Sequence, residues 1–160
     1  MDKQVIKTVI GEKQQQIGRI RLLQRGEHFD EHSCYVLVGI RMAGKSYMLY
    51  QDMQARISAG TAKVEDFLYI NFEDERLASI KSDEIGALLD AYWEMYDQKH
   101  PLIYLDESQN IDGREKFARR LAEEKFRFMI TGSNAKMLSR EVASTLGGSC
   151  RYYAAGFKEE

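Results

Sequence analysis

Eight consecutive residues, Gly39-Ile40-Arg41-Met42-Ala43-Gly44-Lys45-Ser46, have the types and spacing needed to wrap a polyphosphate. They fill every fixed position of the pattern G-x-x-x-x-G-K-[ST]. Average residue usage gives a chance match in roughly 0.5% of chains of this length. The chemistry follows from the residue types. Gly39 and Gly44 permit a tight path and close backbone approach. The backbone N–H groups from Gly39 to Tyr47 can face phosphate oxygens, and a helix opening at Lys45 adds its positive end. Lys45 is placed to contact the terminal phosphates, and Ser46 to bind Mg²⁺.

A second segment completes this chemistry. Leu102-Ile103-Tyr104-Leu105 is an apolar run that ends in two adjacent carboxylates, Asp106 and Glu107. Asp106 at a strand end can hold Mg²⁺, and Glu107 can polarise an attacking water. Taken alone, the pair also suits a helix cap; downstream of a phosphate loop, the metal and base roles lead. Thr131-Gly132-Ser133-Asn134 closes the next apolar run. Asn134 or Ser133 there could sense the terminal phosphate or the water, although helix capping alone explains the same residue types.

These groups need elements to position them. Tyr35-Val36-Leu37-Val38 reads as a short buried strand before the glycine loop, within residues 35–39. A helix is predicted from Lys45 to about Ser58, with Gly60 at its C-terminal end. Phe67 to Phe72 is a second strand. Ser82 and Asp83 are expected to cap a helix over about 84–96, with Ile85, Leu88, Leu89, Tyr92 and Trp93 on its inner face. Pro101, the single proline, opens the strand of Asp106. A helix over 114–124 turns Phe117 and Leu121 inward; a strand over 127–131 follows, then a helix from Ser133 or Asn134 to about Thr145. Arg151-Tyr152-Tyr153 is a candidate final strand. Residues 1–11 read as irregular or strand-like. Glu12 to Arg25 carries a helical stripe of Ile17, Ile20 and Leu23, with Leu22 beside it. Short apolar strands alternating with helices predict an α/β fold, a mainly parallel sheet covered on both faces in three αβα layers.

Composition narrows the classes. With 160 residues, 44% hydrophobic and 30% charged, the chain can form one ordinary globular domain. Lys plus Arg number 23 against 25 Asp plus Glu, a net charge of -2, so no global basic field draws in nucleic acid. No apolar run approaches the roughly 18 residues of a membrane span, and the N-terminus lacks an apolar signal core. Cys34 and Cys150 lack metal-ligand spacing. A cytoplasmic protein with reduced thiols is expected. The acidic stretch Glu73-Asp74-Glu75-Arg76 is read as a solvated loop, and Arg114, Lys116, Arg119 and Arg120 as a solvated helix face. His28, His32 and His100 are isolated, and Tyr92, Trp93 and Tyr96 are core rather than a base-stacking platform.

Together these segments resemble the bacterial and archaeal AAA-type ATP-binding proteins, also called DEXX-box ATPases. The matching stretches are Val38-Gly39-Ile40-Arg41 through Lys45-Ser46, residues 69–77, Leu105 through Ile111, and Ile130 through Glu141, within about residues 14–148. The last stretch is the most family-specific. The first and third correspond to the Walker A and Walker B segments of such proteins. The resemblance implies an additional-strand P-loop ATPase core, with the strand of Thr131 between the first strand and the Asp106 strand. It also implies a C-terminal domain beyond the core. The chain is therefore expected to be residues 1–30 as a helical lead-in and 31–160 as the ATPase core, cut short before that domain. Met42 stands where the family often has a second arginine, and the arginine usual after the glycine pair is displaced to Arg151, after Ser149 and Cys150. The usual proline-containing stretch before Phe-x-Glu is Ala154-Ala155-Gly156-Phe157-Lys158-Glu159. Arg140 and Arg151 are the candidates for an arginine finger.

The leading expectation is ATP binding with Mg²⁺-dependent hydrolysis, coupled to the C-terminal domain or to a protein partner, with an oligomer compatible. The alternatives are a nucleotide switch or inert fragment without turnover and, lower, a small P-loop kinase. A GTPase ranks below these, because Asn134-Ala135-Lys136-Met137 does not match the guanine-reading Asn-Lys-x-Asp.

Overall fold

Each apolar run becomes a strand whose alternate residues face opposite layers, as a period of two requires. The structure, a computed structural model, describes residues 1–20, 29–39, 44–97, 100–132 and 150–154. In chain order the elements are α1 (Lys3–Arg19), β1 (Cys34–Val38), α2 (Lys45–Ser58), β2 (Phe67–Asn71), α3 (Ala87–Met95), β3 (Leu102–Asp106), α4 (Arg114–Glu123), β4 (Phe128–Gly132) and β5 (Cys150–Ala154). The strands form one sheet in the order β2-β3-β4-β1-β5. Every pairing is parallel. The strand of Thr131 lies between β1 and β3, as the additional-strand arrangement requires. Among the described residues no helix is long and apolar enough to cross a membrane.

On one face, Leu37, Phe67, Tyr69, Tyr104 and Met129 pack against Met48, Leu49 and Met53 of α2. On the other, Val36, Ile70, Ile103, Leu105 and Ile130 pack against α3 and α4 through Leu88, Leu89, Phe117 and Leu121. This is the expected three-layer α/β architecture.

The N-terminus departs from expectation. Residues 1–11 are not irregular or strand-like: α1 begins at Lys3, capped by Asp2, whose side chain accepts from the Gln4 amide. Its β-branched run of Val5, Ile6, Thr8, Val9 and Ile10 favours a strand by intrinsic preference. Tertiary burial overrides that preference, since Ile6, Val9 and Ile10 are fully buried in the α3/α4 layer. Further along, Ile17 joins the α2 layer, so α1 runs past the edge strand β2 and touches both faces. Gln14 donates to the Phe67 carbonyl at 3.0 Å, occupying a backbone acceptor on that edge. The helix stops at Arg19, with Ile20 already extended; Leu22 and Leu23 lie outside the described residues.

The expected helix over 84–96 is shorter. Ser82–Glu84 forms a 3-10 turn, because the Glu84 side chain accepts from the Lys81 amide, and α3 starts only after Gly86. Trp93 is half-buried rather than fully inward. Gly60 has φ 75, as a residue just past a helix end should. The helix predicted from Ser133 or Asn134 lies outside the described residues. Cys34 and Cys150 are free thiols that face each other in register on β1 and β5.

A buried charge network fixes α2 against the sheet. Asp52 of α2 accepts from Arg127 Nη1 at 2.8 Å, from Tyr104 Oη at 2.7 Å and from Arg56 Nε at 3.2 Å. Arg127 Nε also donates to the Ser33 carbonyl at 2.9 Å, and Arg56 Nη2 to that of Glu31 at 2.6 Å. One carboxylate thus ties α2 to β3 and to the residue entering β4. Removing it strands two buried guanidinium groups, so Asp52→Ala is expected to lower unfolding stability by about 3–5 kcal/mol in urea denaturation. A loss below about 1 kcal/mol would show that the network is not a structural tie.

Candidate functional site

The strand registers bring the chemistry-bearing residues to one edge of the sheet. Val38 pairs with Gly132, Leu105 with Ile130 and Asn71 with Asp106, so β1, β2, β3 and β4 end together. Ligands of parallel sheets gather outside such carboxyl ends. The glycine loop leaves β1 there and returns as α2. Gly44 takes φ 87, a left-handed conformation that glycine adopts without cost, and Lys45 is the first helical residue. Lys45 is only 3% exposed, and its Nζ donates to the Gly39 carbonyl at 3.1 Å. The loop's two ends are therefore bridged by its own lysine. Burial pulls the Lys45 ammonium below the usual lysine range, while Glu107 and Asp106 pull it the other way.

Asp106 is 0% exposed and forms the centre of the cluster. A buried carboxylate needs hydrogen bonds to the charged form. Ser46 Oγ donates to Oδ2 at 2.6 Å, and Thr131 Oγ1 donates to Oδ1 at 2.5 Å. The Tyr69 hydroxyl also donates to Oδ2. Ser46 and Asp106, sixty residues apart, are thus in direct contact. Both offer oxygen, the donor type of Mg²⁺.

Glu107 follows with φ 56, a left-handed conformation that is uncommon without glycine. Strain of this sort concentrates at functional sites and costs on the order of 1–3 kcal/mol. Its backbone N–H donates to Thr131 Oγ1 at 2.9 Å, and Asn110 Nδ2 donates to its carbonyl at 3.1 Å. It precedes a 3-10 turn, Ser108–Asn110, but its carboxylate does not cap it. That carboxylate instead accepts from Gln109 Nε2 at 2.5 Å and stays half-buried. Burial pushes the Glu107 carboxyl above the usual range; the Gln109 hydrogen bond and Lys45 oppose this, and the charges of Asp106 and Glu73 add to it.

Of the residues expected from sequence, Gly39, Gly44, Lys45, Ser46, Asp106 and Glu107 assemble at this edge. Tyr47 lies in the first turn of α2 beside them, 44% exposed. Ile40, Arg41, Met42, Ala43, Ser133 and Asn134 lie outside the described residues. The residue that links the β4 end to Asp106 and Glu107 is Thr131. Its position as the last polar residue of an apolar strand was the available signal. Tyr69 and Tyr50 were hidden by their aromatic character, yet Tyr50 lies four residues after Ser46, on the same helix face.

The basic face of α4 differs from expectation at one residue. Arg114 is buried, with Nη1 donating to the Ile111 carbonyl at 3.1 Å, so it is not part of a solvated face; Lys116, Arg119 and Arg120 are exposed. The stretch after β2 is exposed at Glu73, Glu75 and Arg76, as expected. Arg76 donates to Asp74 at 2.8 Å and to Glu12 of α1 at 2.9 Å, pinning it to the N-terminal helix.

Comparison with known proteins places these features in context. Residues 31–155 match a family model described as AAA domain. An uncharacterised protein of Methanocaldococcus jannaschii is 41% identical over 113 residues, covering 71% of this chain and 24% of that protein. An uncharacterised protein of Haemophilus influenzae is 32% identical over 148 residues, covering 89% of this chain and 37% of that protein. The chain thus spans about a quarter to just over a third of the length of these relatives.

Thr131→Val keeps the branched shape but removes a hydroxyl that serves both Asp106 and Glu107. Hydrogen bonds to charged groups contribute about 1.5–3 kcal/mol. A stability loss of that size is expected in thermal or urea unfolding, with Thr131→Ser restoring most of it. An unchanged stability in Thr131→Val would show that the hydroxyl does not hold this cluster together.

Proposed function

The chain belongs to the AAA-domain family of nucleotide-binding, ATPase-like proteins, and from that premise we propose that it binds ATP with Mg²⁺ and hydrolyses it to ADP and phosphate. The observation that carries this reading is the Ser46–Asp106 contact at 2.6 Å, which joins the phosphate loop to the carboxylate strand. Ser46 and Asp106 are the residues that would hold Mg²⁺. Two protein oxygens suit an ion that otherwise keeps waters and substrate phosphates. Among the described residues no group of three or more His, Cys, Asp or Glu forms a separate metal cluster. Bound Mg²⁺ would supply neutralisation of the charge that develops on the β- and γ-phosphates.

The chain's own residues support the remaining tasks. Lys45 brings a buried positive charge to the loop, and ATP phosphates would replace the Gly39 carbonyl as its partner. The N-terminus of α2 adds its dipole to the same place. Glu107 is the base: its carboxylate takes a proton from water as the oxygen attacks the γ-phosphorus. The bond to the bridging oxygen breaks, and ADP leaves. Turnover would then drive a change in a partner or in a further domain of a longer protein. Reduced surroundings and a cytoplasmic setting fit this role.

Calorimetry with ATP and GTP in Mg²⁺, followed by phosphate release on the same sample, tests the proposal. ATP binding with phosphate release is the expected result. Binding without release would favour a nucleotide switch, and release only in the presence of an acceptor would favour a kinase. Lys45→Ala is expected to weaken ATP binding at least 10-fold, in the range for loss of a charged hydrogen bond. Glu107→Gln should bind ATP normally while turnover falls about 10²- to 10⁴-fold; unchanged turnover would remove Glu107 as the base. The pH dependence has a definite sign. Only the carboxylate form of Glu107 accepts a proton, and its pKa is raised. Activity should therefore fall with decreasing pH above the ordinary glutamate value of about 4.3. An acid limb at or below that value would contradict the assignment.

A further inference from the structure

We propose that Tyr69, held by Tyr50, is a positioning residue that fixes the Asp106 carboxylate for Mg²⁺-dependent nucleotide binding. This deepens the proposed ATP site and rests on that reading.

Three elements reach Asp106, and only two of them carry the expected motifs. Ser46 comes from the phosphate loop and Thr131 from the β4 end. Tyr69 comes from β2, the edge strand, and donates to the same Oδ2 that Ser46 uses. In the β2–β3 register Tyr69 pairs with Tyr104, two positions before the Asn71–Asp106 pair. Its hydroxyl therefore rises along the α2 face of the sheet toward the carboxylate.

Tyr69 itself is 1% exposed and held from two sides. The Tyr50 hydroxyl donates to the Tyr69 hydroxyl at 3.2 Å, and the two ring centroids are 5.3 Å apart. Lys13 of α1 places its ammonium 5.8 Å from the Tyr69 ring centroid. Tyr50 is on α2, one helical turn after Ser46. The result is a closed path: Ser46 and Tyr50 leave the same helix, and both lead to Oδ2, one directly and one through Tyr69.

A tyrosine donor does something that Ser46 alone cannot. If Ser46 held Mg²⁺, its oxygen would give a lone pair to the ion, and its proton would be less free to serve Asp106. Tyr69 offers no oxygen to the ion in this reading. Its hydrogen bond holds Oδ2 in one orientation whichever partner Ser46 takes. Groups that orient metal-binding carboxylates in this way typically contribute 10- to 100-fold to metal affinity or activity.

The test is ATP binding by calorimetry with Mg²⁺ and again in excess EDTA, on wild type, Tyr69→Phe and Tyr50→Phe. Tyr69→Phe keeps the ring and removes only the hydroxyl. It should weaken ATP binding in Mg²⁺ about 10- to 100-fold while changing the EDTA affinity less than about 2-fold. Tyr50→Phe should show the same selective loss at smaller size, about 2- to 5-fold. Thermal unfolding of each variant reports any general loss of structure. Equal weakening with and without Mg²⁺ would make Tyr69 a packing residue and overturn the proposal, as would no change in either condition. If Tyr69→Phe does not fold, Tyr50→Phe decides: no selective loss there rejects the path. Wild-type binding that ignores Mg²⁺ would instead reject the ATP–Mg²⁺ reading beneath it.

Discussion

A carboxylate removed from water must find its hydrogen bonds inside the protein, and the arrangement of this chain is organised around that demand at Asp106. The buried charge is met by hydroxyls from the start of α2, the middle of β2 and the end of β4. Leaving one of those donors out would leave a charge short of its partners in a low-dielectric interior. The three elements are therefore bound to one register. A slip of β2 by one residue would turn Tyr69 to the opposite face and bring Leu68 or Ile70 toward the carboxylate.

The same face holds a second buried carboxylate, Asp52, two turns further along α2. Its partners include two guanidinium groups beside the Tyr104 hydroxyl, whereas those of Asp106 are all neutral hydroxyls. The difference has chemical meaning. Arg127 and Arg56 neutralise Asp52 and make it a structural tie. Around Asp106 the hydroxyls satisfy geometry but leave the negative charge in place, which suits a site that receives a cation. Lys45 stands nearby, turned to the Gly39 carbonyl. One helix thus carries a closed electrostatic account at its middle and an open one at its start.

Much of this was legible in the sequence, and the reason differs from residue to residue. Lys45, Ser46, Asp106 and Glu107 fit a pattern that fixes both residue type and spacing, so it survives in one dimension. The strands were legible because parallel strands buried on both faces are apolar throughout. Residues 3–11 were not, because β-branched side chains look like a strand until a neighbouring layer rewards the helix. Tyr69 escaped for a related cause: a tyrosine in an apolar strand reads as filling, and only the register reveals that its hydroxyl meets Asp106. Thr131 was passed over in favour of Asn134 and Ser133. The turn between strand and helix drew attention from the last residue of the strand itself.

The course of α1 has an effect on what the sheet can join. β2 is an edge strand, and an uncovered edge is a template for another strand. Here Gln14 sits on the Phe67 carbonyl, and Ile17 and Ile10 close over opposite faces beside it. The N-terminal helix works as a selvedge along that margin. A strand donated by another polypeptide would first have to peel away buried isoleucines, so the sheet is finished on the side of Tyr69.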